Sequence, residues 1–203
     1  MAKKGLLYAC AGLFDDATGA VKADSGKYLG PTETLTGSIN AGSSKDYGDS
    51  RLLEEDKTPT DGSLTWTLTD DDDEIYTFLL GHAKVADSGD NKDEIQFSQL
   101  DEAPYVSVAV YGRNGDKYTA KGYRKVQFSE AEDTEETKKD SLTFGHTTLN
   151  GTIYMGGSSD TKRIYKSRKT FATDAEALAW CKKYCGVPAE QATQADQTGK
   201  AAK

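Results

Sequence analysis

Histidine is nearly missing from this chain. His82 and His146 are the only two among 203 residues. No His-x-x-x-His pair, Gly-x-Ser-x-Gly elbow or Walker-type loop occurs, so the common metal and nucleophile templates have nothing to stand on. His82 follows the end of a predicted helix, where a cation is favoured, and reads as structural. Cysteine is scarce too: Cys10, Cys181 and Cys185 are an odd number without regular spacing, unlike a secreted disulfide framework. Cys181 and Cys185 stand one helical turn apart, a poor geometry for a bridge, and zinc would need two further ligands that the sequence does not offer. They read as small core or interface residues. Long apolar runs are absent. Leu6–Phe14 is interrupted and followed at once by Asp15-Asp16, too short and punctuated for a signal peptide or membrane span. The expectation is synthesis in the cytoplasm without export or a membrane anchor.

Positive charge is also in deficit. The net charge is −8, and residues 162–203 oppose the trend with nine Lys/Arg against four Asp/Glu. An acidic body repels a phosphate backbone, which argues against gripping nucleic acid and suits a surface that DNA passes without sticking.

What the chain does contain is strand chemistry. Tyr outnumbers Phe, 11 to 6, and Gly (20) is frequent, a mixture that favours strands and turns. The most regular stretch is 103–128. Val106, Val108 and Val110 alternate with Tyr105, Ser107, Ala109 and Tyr111. Asn114-Gly115 supplies a tight turn, and Arg124, Val126 and Phe128 alternate with Tyr123, Lys125 and Gln127. This predicts an antiparallel hairpin with its Val/Phe face in the core. The opposite face is too mixed for plain solvent.

Other strands are expected over 5–11, 28–39 (Leu35 and Ile39 facing alike), 62–68 (Leu64, Trp66, Leu68), 95–100, 141–155 (Leu142, Phe144, Leu149, Ile153, Met155) and 163–171. A short helix is expected at about 70–80. Asp70 can cap it, the acidic run favours its N-terminus, Ile75, Phe78 and Leu79 form its apolar stripe, and Gly81 ends it. A second helix is expected at about 173–185, with a Thr173/Glu176 capping box and a Gly186 stop. The stretch 40–61 reads as a long polar loop in which Tyr47, Leu52 and Leu53 are out of place in solvent. Asn40 to Asp61, Glu130 to Asp140 and the disordered tail Ala189–Lys203 are the irregular parts. The fold class is mainly β: a β-sandwich or open barrel of antiparallel strands with one packed short helix. Residues 1–157 form this domain, and 158–203 a C-terminal extension.

The acidic clusters carry little chemistry. Four consecutive acids at Asp70–Asp73 lack the alternate spacing of a calcium loop, and Asp87–Glu94 has Gly89 at a ligand position and Lys92 where the loop glycine belongs. Glu54-Glu55-Asp56 and Glu135-Glu136 lie in polar loops where pKa shifts are not expected. No catalytic, cofactor or metal residue is assigned, and the expectation is a non-enzyme.

An ordered set of pieces resembles the major tail proteins (tail tube subunits) of long-tailed phages. These are Gly62-Ser63-Leu64-Thr65, the acidic helix start with Leu79-Leu80-Gly81, Glu102-Ala103-Pro104-Tyr105-Val106, Tyr123–Glu130, Lys139–Phe144 and Leu149–Ile153. Together they span about residues 5–155, and Tyr47-Gly48-Asp49 roughly matches a further family element. The resemblance implies a virion protein that forms hexameric rings stacked into a tube through which duplex DNA passes. Its partners would be copies of itself, a tape-measure protein and other tail proteins, without a cofactor. The long loop would reach a neighbouring subunit. Tyr47, Leu52, Leu53, Tyr105, Tyr111, Lys125 and Gln127 are then the candidate oligomerisation residues. The competing expectation is a monomeric carbohydrate- or cell-surface-binding module, with Tyr105, Tyr111, Tyr118 and Tyr123 exposed for stacking on sugar rings.

Overall fold

The computed structural model describes residues 3–48, 51–86, 92–129, 146–155 and 163–188. In chain order the elements are β1 (Lys3–Asp15), β2 (Ala20–Val21), β3 (Thr32–Ala41), β4 (Ser44–Gly48), β5 (Arg51–Asp56), β6 (Pro59–Leu68), α1 (Asp73–Leu79), β7 (Ala83–Lys84), β8 (Ile95–Gln96), β9 (Val106–Asn114), β10 (Lys117–Ser129), β11 (Thr147–Ile153), β12 (Lys166–Phe171) and α2 (Asp174–Cys185). Eight strands form one antiparallel sheet in the order β2-β1-β9-β10-β11-β6-β3, with β12 paired to β10 beside that path. β4 with β5, and β7 with β8, form separate two-stranded sheets.

The sheet curls on itself, because residues from both ends of its path share one core. Ala9 and Ala11 of β1 join Leu64, Trp66 and Leu68 of β6, and Leu35 and Ile39 of β3 pack against the same cluster. The architecture is the expected mainly-β open barrel. Strict alternation on β6 drives its part: Leu64, Trp66 and Leu68 are fully buried while Ser63 is exposed. The Trp66 indole N–H donates to Thr32 Oγ1 at 3.0 Å, so the largest core side chain carries no unpaired donor.

Helix α1 presses Ile75 and Leu79 into this core. Its N-cap is Asp72, which accepts the Glu74 amide at 3.2 Å; Asp70, the expected cap, lies beside Gly30 instead. The apolar stripe sets the helix register, and any of four adjacent acids is chemically fit to cap it. The strand expected from Tyr28 begins only at Thr32, after Gly30 at φ 102° and Pro31. The strand expected over 95–100 is confined to Ile95–Gln96.

The stretch 40–61, expected as a loop, is mostly strand. β4 and β5 pair across it, with Tyr47 opposite Leu52, and β6 already starts at Pro59. Polar residues on both sides of each strand left no period-2 hydrophobic signal there. Residues 87–91 of the polar turn, the loop 130–140, Leu142, Phe144, the break at 156–159 and the tail 189–203 lie outside the described residues.

The central hairpin forms as expected, with two differences. Asn114 stays in the ladder opposite Lys117, so the two-residue loop is Gly115-Asp116. Gly115 holds φ 66° at the first loop position, where a tight hairpin turn demands glycine. The second difference is a β-bulge. Tyr123 pairs with Val108 and Val126 with Val106, so Arg124 and Lys125 together oppose the single Ser107. The extra residue changes the phase of the strand. Tyr123, expected on the far face from Val126 and Phe128, enters the core with both of them.

Residues 163–188 supply β12 of the sheet and the helix on its outer face. The Thr173/Glu176 capping box is present, and Gly186 closes α2 at φ 63°. Ala177, Cys181 and Cys185 pack on Tyr8, Cys10, Ala109, Tyr111 and Ala120. The helix end comes so close to β1 that a Cβ on Gly12 would sit 1.8 Å from the Cys185 carbonyl oxygen. Gly12→Ala is therefore expected to lift this end of α2, at a cost of about 3 kcal/mol. The readouts are a lowered urea midpoint and faster labelling of the Cys181 and Cys185 thiols; wild-type values for both would refute the contact.

Candidate functional site

The bulge delivers the first feature. With Arg124 and Lys125 both accommodated opposite Ser107, Lys125 is turned away from the core yet stays covered. Its Nζ lies 2.7 Å from Asp16 Oδ1, 4.0 Å from the centre of the Tyr105 ring and 5.5 Å from that of Tyr154. Tyr105 and Tyr154 meet edge to face at 5.5 Å. The Tyr154 hydroxyl donates to Gln127 Oε1 at 3.0 Å, and Gln127 Nε2 donates to the Ala103 carbonyl at 2.8 Å. Three expected assembly residues, Tyr105, Lys125 and Gln127, are thus brought together. Only 10% of the Lys125 side chain is exposed, and the polar ends of Lys125 and Gln127 engage partners in their own chain. Asp16 and Tyr154 complete the cluster and had no sequence signal, since Asp16 is 109 residues from Lys125.

The other four expected residues lie elsewhere. Tyr111 is 4% exposed beneath α2, beside Tyr8 at 6.2 Å. Burial, then the neighbouring Asp174, raises its phenol pKa. Tyr47 and Leu52 are backbone register partners across β4–β5, and Leu53 falls where the register slips. That hairpin pairs with no other strand among the described residues. Of the four tyrosines expected to be exposed for sugar stacking, Tyr111 and Tyr123 are buried and Tyr105 and Tyr118 are half-buried, so they do not form an open aromatic platform.

The remaining reactive groups are enclosed or structural. Cys10, Cys181 and Cys185 are free, fully buried thiols gathered between β1 and α2. The Cys185 thiol donates to the Cys10 carbonyl at 3.3 Å, and burial raises the pKa of both Cys10 and Cys181. A thiol held protonated in this way is a poor nucleophile. His82 Nδ1 lies 2.8 Å from Asp101 Oδ2, and the Ser98 amide donates to the same oxygen. This pins the connection between α1 and β9, and the His82 bond, followed by the Ser98 amide, lowers the Asp101 pKa. Among the described residues no three His, Cys, Asp or Glu side chains gather as a metal site, and no helix is long and apolar enough to cross a membrane.

No protein-family model and no curated protein matches the chain. Among solved structures, it is similar to the tube-terminating cap of the anti-feeding prophage, at 8% identity over 84% of this chain and 94% of that one, with a TM-score of 0.45. It is also similar to a chain of the sheath–tube complex of an extracellular contractile injection system in its extended state, at 9% identity over 80% of this chain and 88% of that one, with a TM-score of 0.38.

Two substitutions test the local chemistry. Lys125→Met keeps the stem but removes the ion pair and the cation–π contact. It is expected to cost about 1–2 kcal/mol in urea denaturation, and an unchanged midpoint would show the cluster to be energetically idle. Asp101 has a lowered folded pKa, so it contributes stability above the ordinary carboxylate range and loses it as pH falls through the lowered value. Asp101→Asn should flatten that part of the acid limb when melting temperature is followed from about pH 6 to about pH 2.

Proposed function

We propose that this chain is the tube subunit of a phage-type tail, a structural protein rather than an enzyme. Its copies close into hexameric rings, and the rings stack into a conduit for DNA. The ordered sequence resemblance across residues 5–155 supports this reading. The structural observation that carries it is the free edge of the sheet. β3 runs for ten residues, and among the described residues it pairs with β6 alone. Its segment Thr34–Asn40 is in regular register, and β3 contains no Lys, Arg or Pro. Monomeric proteins guard such edges with charge, proline or bulges, because an open ladder invites another strand. β3 has Glu33 and a register shift near each end, but its uncharged, regular middle, Thr34–Asn40, suits a sheet continued by a neighbouring copy.

The β4–β5 hairpin, carrying Tyr47, Leu52 and Leu53, then reaches a neighbouring subunit. The Tyr105–Lys125–Gln127 cluster fixes the shape of the wall from within, and Tyr111 acts through α2. Further partners are a tape-measure protein and other tail proteins, in the virion tail. The acidic character of the body lets DNA slide through the lumen without capture.

Light scattering and negative-stain microscopy of the full chain at rising concentration are expected to show rings or tubes. A monomer at every concentration and salt would sink the proposal. Thr34 and Thr36 are exposed on the free strand, so Thr34→Lys with Thr36→Lys is expected to abolish assembly while leaving the circular dichroism of the monomer unchanged. Normal assembly by that variant would exclude the β3 edge as the joint.

A further inference from the structure

The outward side chains of β3, β6 and β11 form a lattice. Thr34, Thr67 and Thr148 stand in one row across the three strands. Thr36, Thr65 and Asn150 make the next row, and Ser38, Ser63 and Thr152 the third. These residues alternate along the strands with Leu35, Leu64, Trp66 and Leu149, which point into the core. Thr65 and Thr67, on the middle strand, are half-buried, and the other seven positions are exposed.

Part of the lattice is bonded to itself. Thr65 Oγ1 donates to Asn150 Oδ1 at 3.2 Å, and the Thr67 and Thr148 hydroxyls are 3.2 Å apart in a hydrogen bond of their own. None of the nine positions holds a charge. In a chain that is 29% charged, a plain solvent-facing surface would be expected to carry several, since soluble exteriors run to about 25–35% charged residues. None holds an aromatic or a large aliphatic residue, which the centre of a subunit interface would use. Acids begin only at the border, with Glu33 near the start of β3 and Asp61, which accepts from Asn40 Nδ2 at 3.0 Å. The side covered by α2 is different: it exposes both signs, Asp174 and Glu176 with Lys169 and Lys183.

We propose that the β3–β6–β11 face is the one turned to the lumen of the tube, where it meets duplex DNA in transit. This rests on the assembly reading above and adds the orientation of each copy within it. Holding a duplex takes cations for its phosphates and free side-chain donors for its oxygens and base edges. The lattice has no cation, and some of its donors are spent on neighbouring strands. It offers the duplex a hydrated, neutral wall with carboxylates at its rim, while the exposed cations of the α2 side stay outside. The free edge of β3 borders the same face, so a copy joined there continues the wall around the ring.

The test is made on assembled tubes of the full chain. Thr148→Cys and, as the outer reference, Lys183→Cys are treated with biotin maleimide, a small reagent that can enter a tube, and then with the much bulkier streptavidin. The native thiols are buried, and the unsubstituted chain sets the background. Both positions are expected to take biotin, but streptavidin should bind intact tubes at least tenfold better at 183, and bind both positions once the tubes are dissociated. Streptavidin binding at 148 on intact tubes would place this face outside. No biotin at 148 until dissociation would place it between copies. Either result overturns the proposal. In a second measurement, tubes carrying Thr65→Lys and Thr148→Lys should retain a short fluorescent duplex at low salt at least tenfold more than wild-type tubes. Equal retention would exclude the neutral wall as the reason DNA passes. Absence of any tube would instead bring down the assembly reading, and this proposal with it.

Discussion

Between Tyr123 and Val126, β10 carries one residue more than its partner β9. Much of the molecule depends on that surplus. A regular 13-residue strand would present one set of alternate side chains to the core along its whole length. Here the phase changes midway, so Tyr123 from below and Val126 and Phe128 from above all reach the same interior. The bend also separates the neighbours of β10. β12 pairs with residues 118–123, and β11 pairs with residues 126–129. A single strand thereby pairs with two different strands, one on each side of its bulge. The Lys125 cluster is a further consequence of the same inserted residue.

A second constraint acts on the opposite face. Tyr8, Cys10, Ala109, Tyr111 and Ala120 form an apolar outer surface that a barrel alone would leave in water, and α2 covers it. Small residues make this possible. Gly12 lets the helix end meet β1, and Ala109 and Ala120 keep the central strands low under the helix. The three cysteines belong to this logic, as compact apolar groups filling a narrow gap. Tyr111 alternates out of the Val face as the sequence implies, but it faces the chain's own helix.

These features separate what the sequence carried openly from what it did not. β6 was legible because it has one buried face, and β9 because its valines alternate with other residue types, although both of its faces are buried. The two helices were legible from caps and stops, although four neighbouring acids made the N-cap of α1 ambiguous. The bulge was not legible. Nothing in Tyr123-Arg124-Lys125-Val126 distinguishes a regular strand from a bulged one, and the deciding partner is Ser107, whose hydroxyl donates to the Arg124 carbonyl from the adjacent strand. The β4–β5 hairpin escaped because its sequence shows no alternation of apolar and polar residues. The Lys125 cluster was half legible: its members on β9 and β10 drew notice for being too mixed for solvent, whereas Asp16 and Tyr154 arrive only through the fold.

The charge imbalance read along the chain also changes meaning in three dimensions. The basic C-terminal segment would suggest a solvated flap if it hung free. Instead, Lys166 lies over the Tyr123 ring at 5.2 Å, and Arg168 stands across from Lys121. Part of the positive charge is thus laid along the sheet, on the strand that α2 follows. The acids of α1 are likewise met within the chain, Glu74 by Lys27 at 3.1 Å and Asp73 by Lys84 at 2.9 Å. Runs of one sign along the sequence are in this way interleaved with the other sign by the fold, and such exposed pairs contribute little stability each.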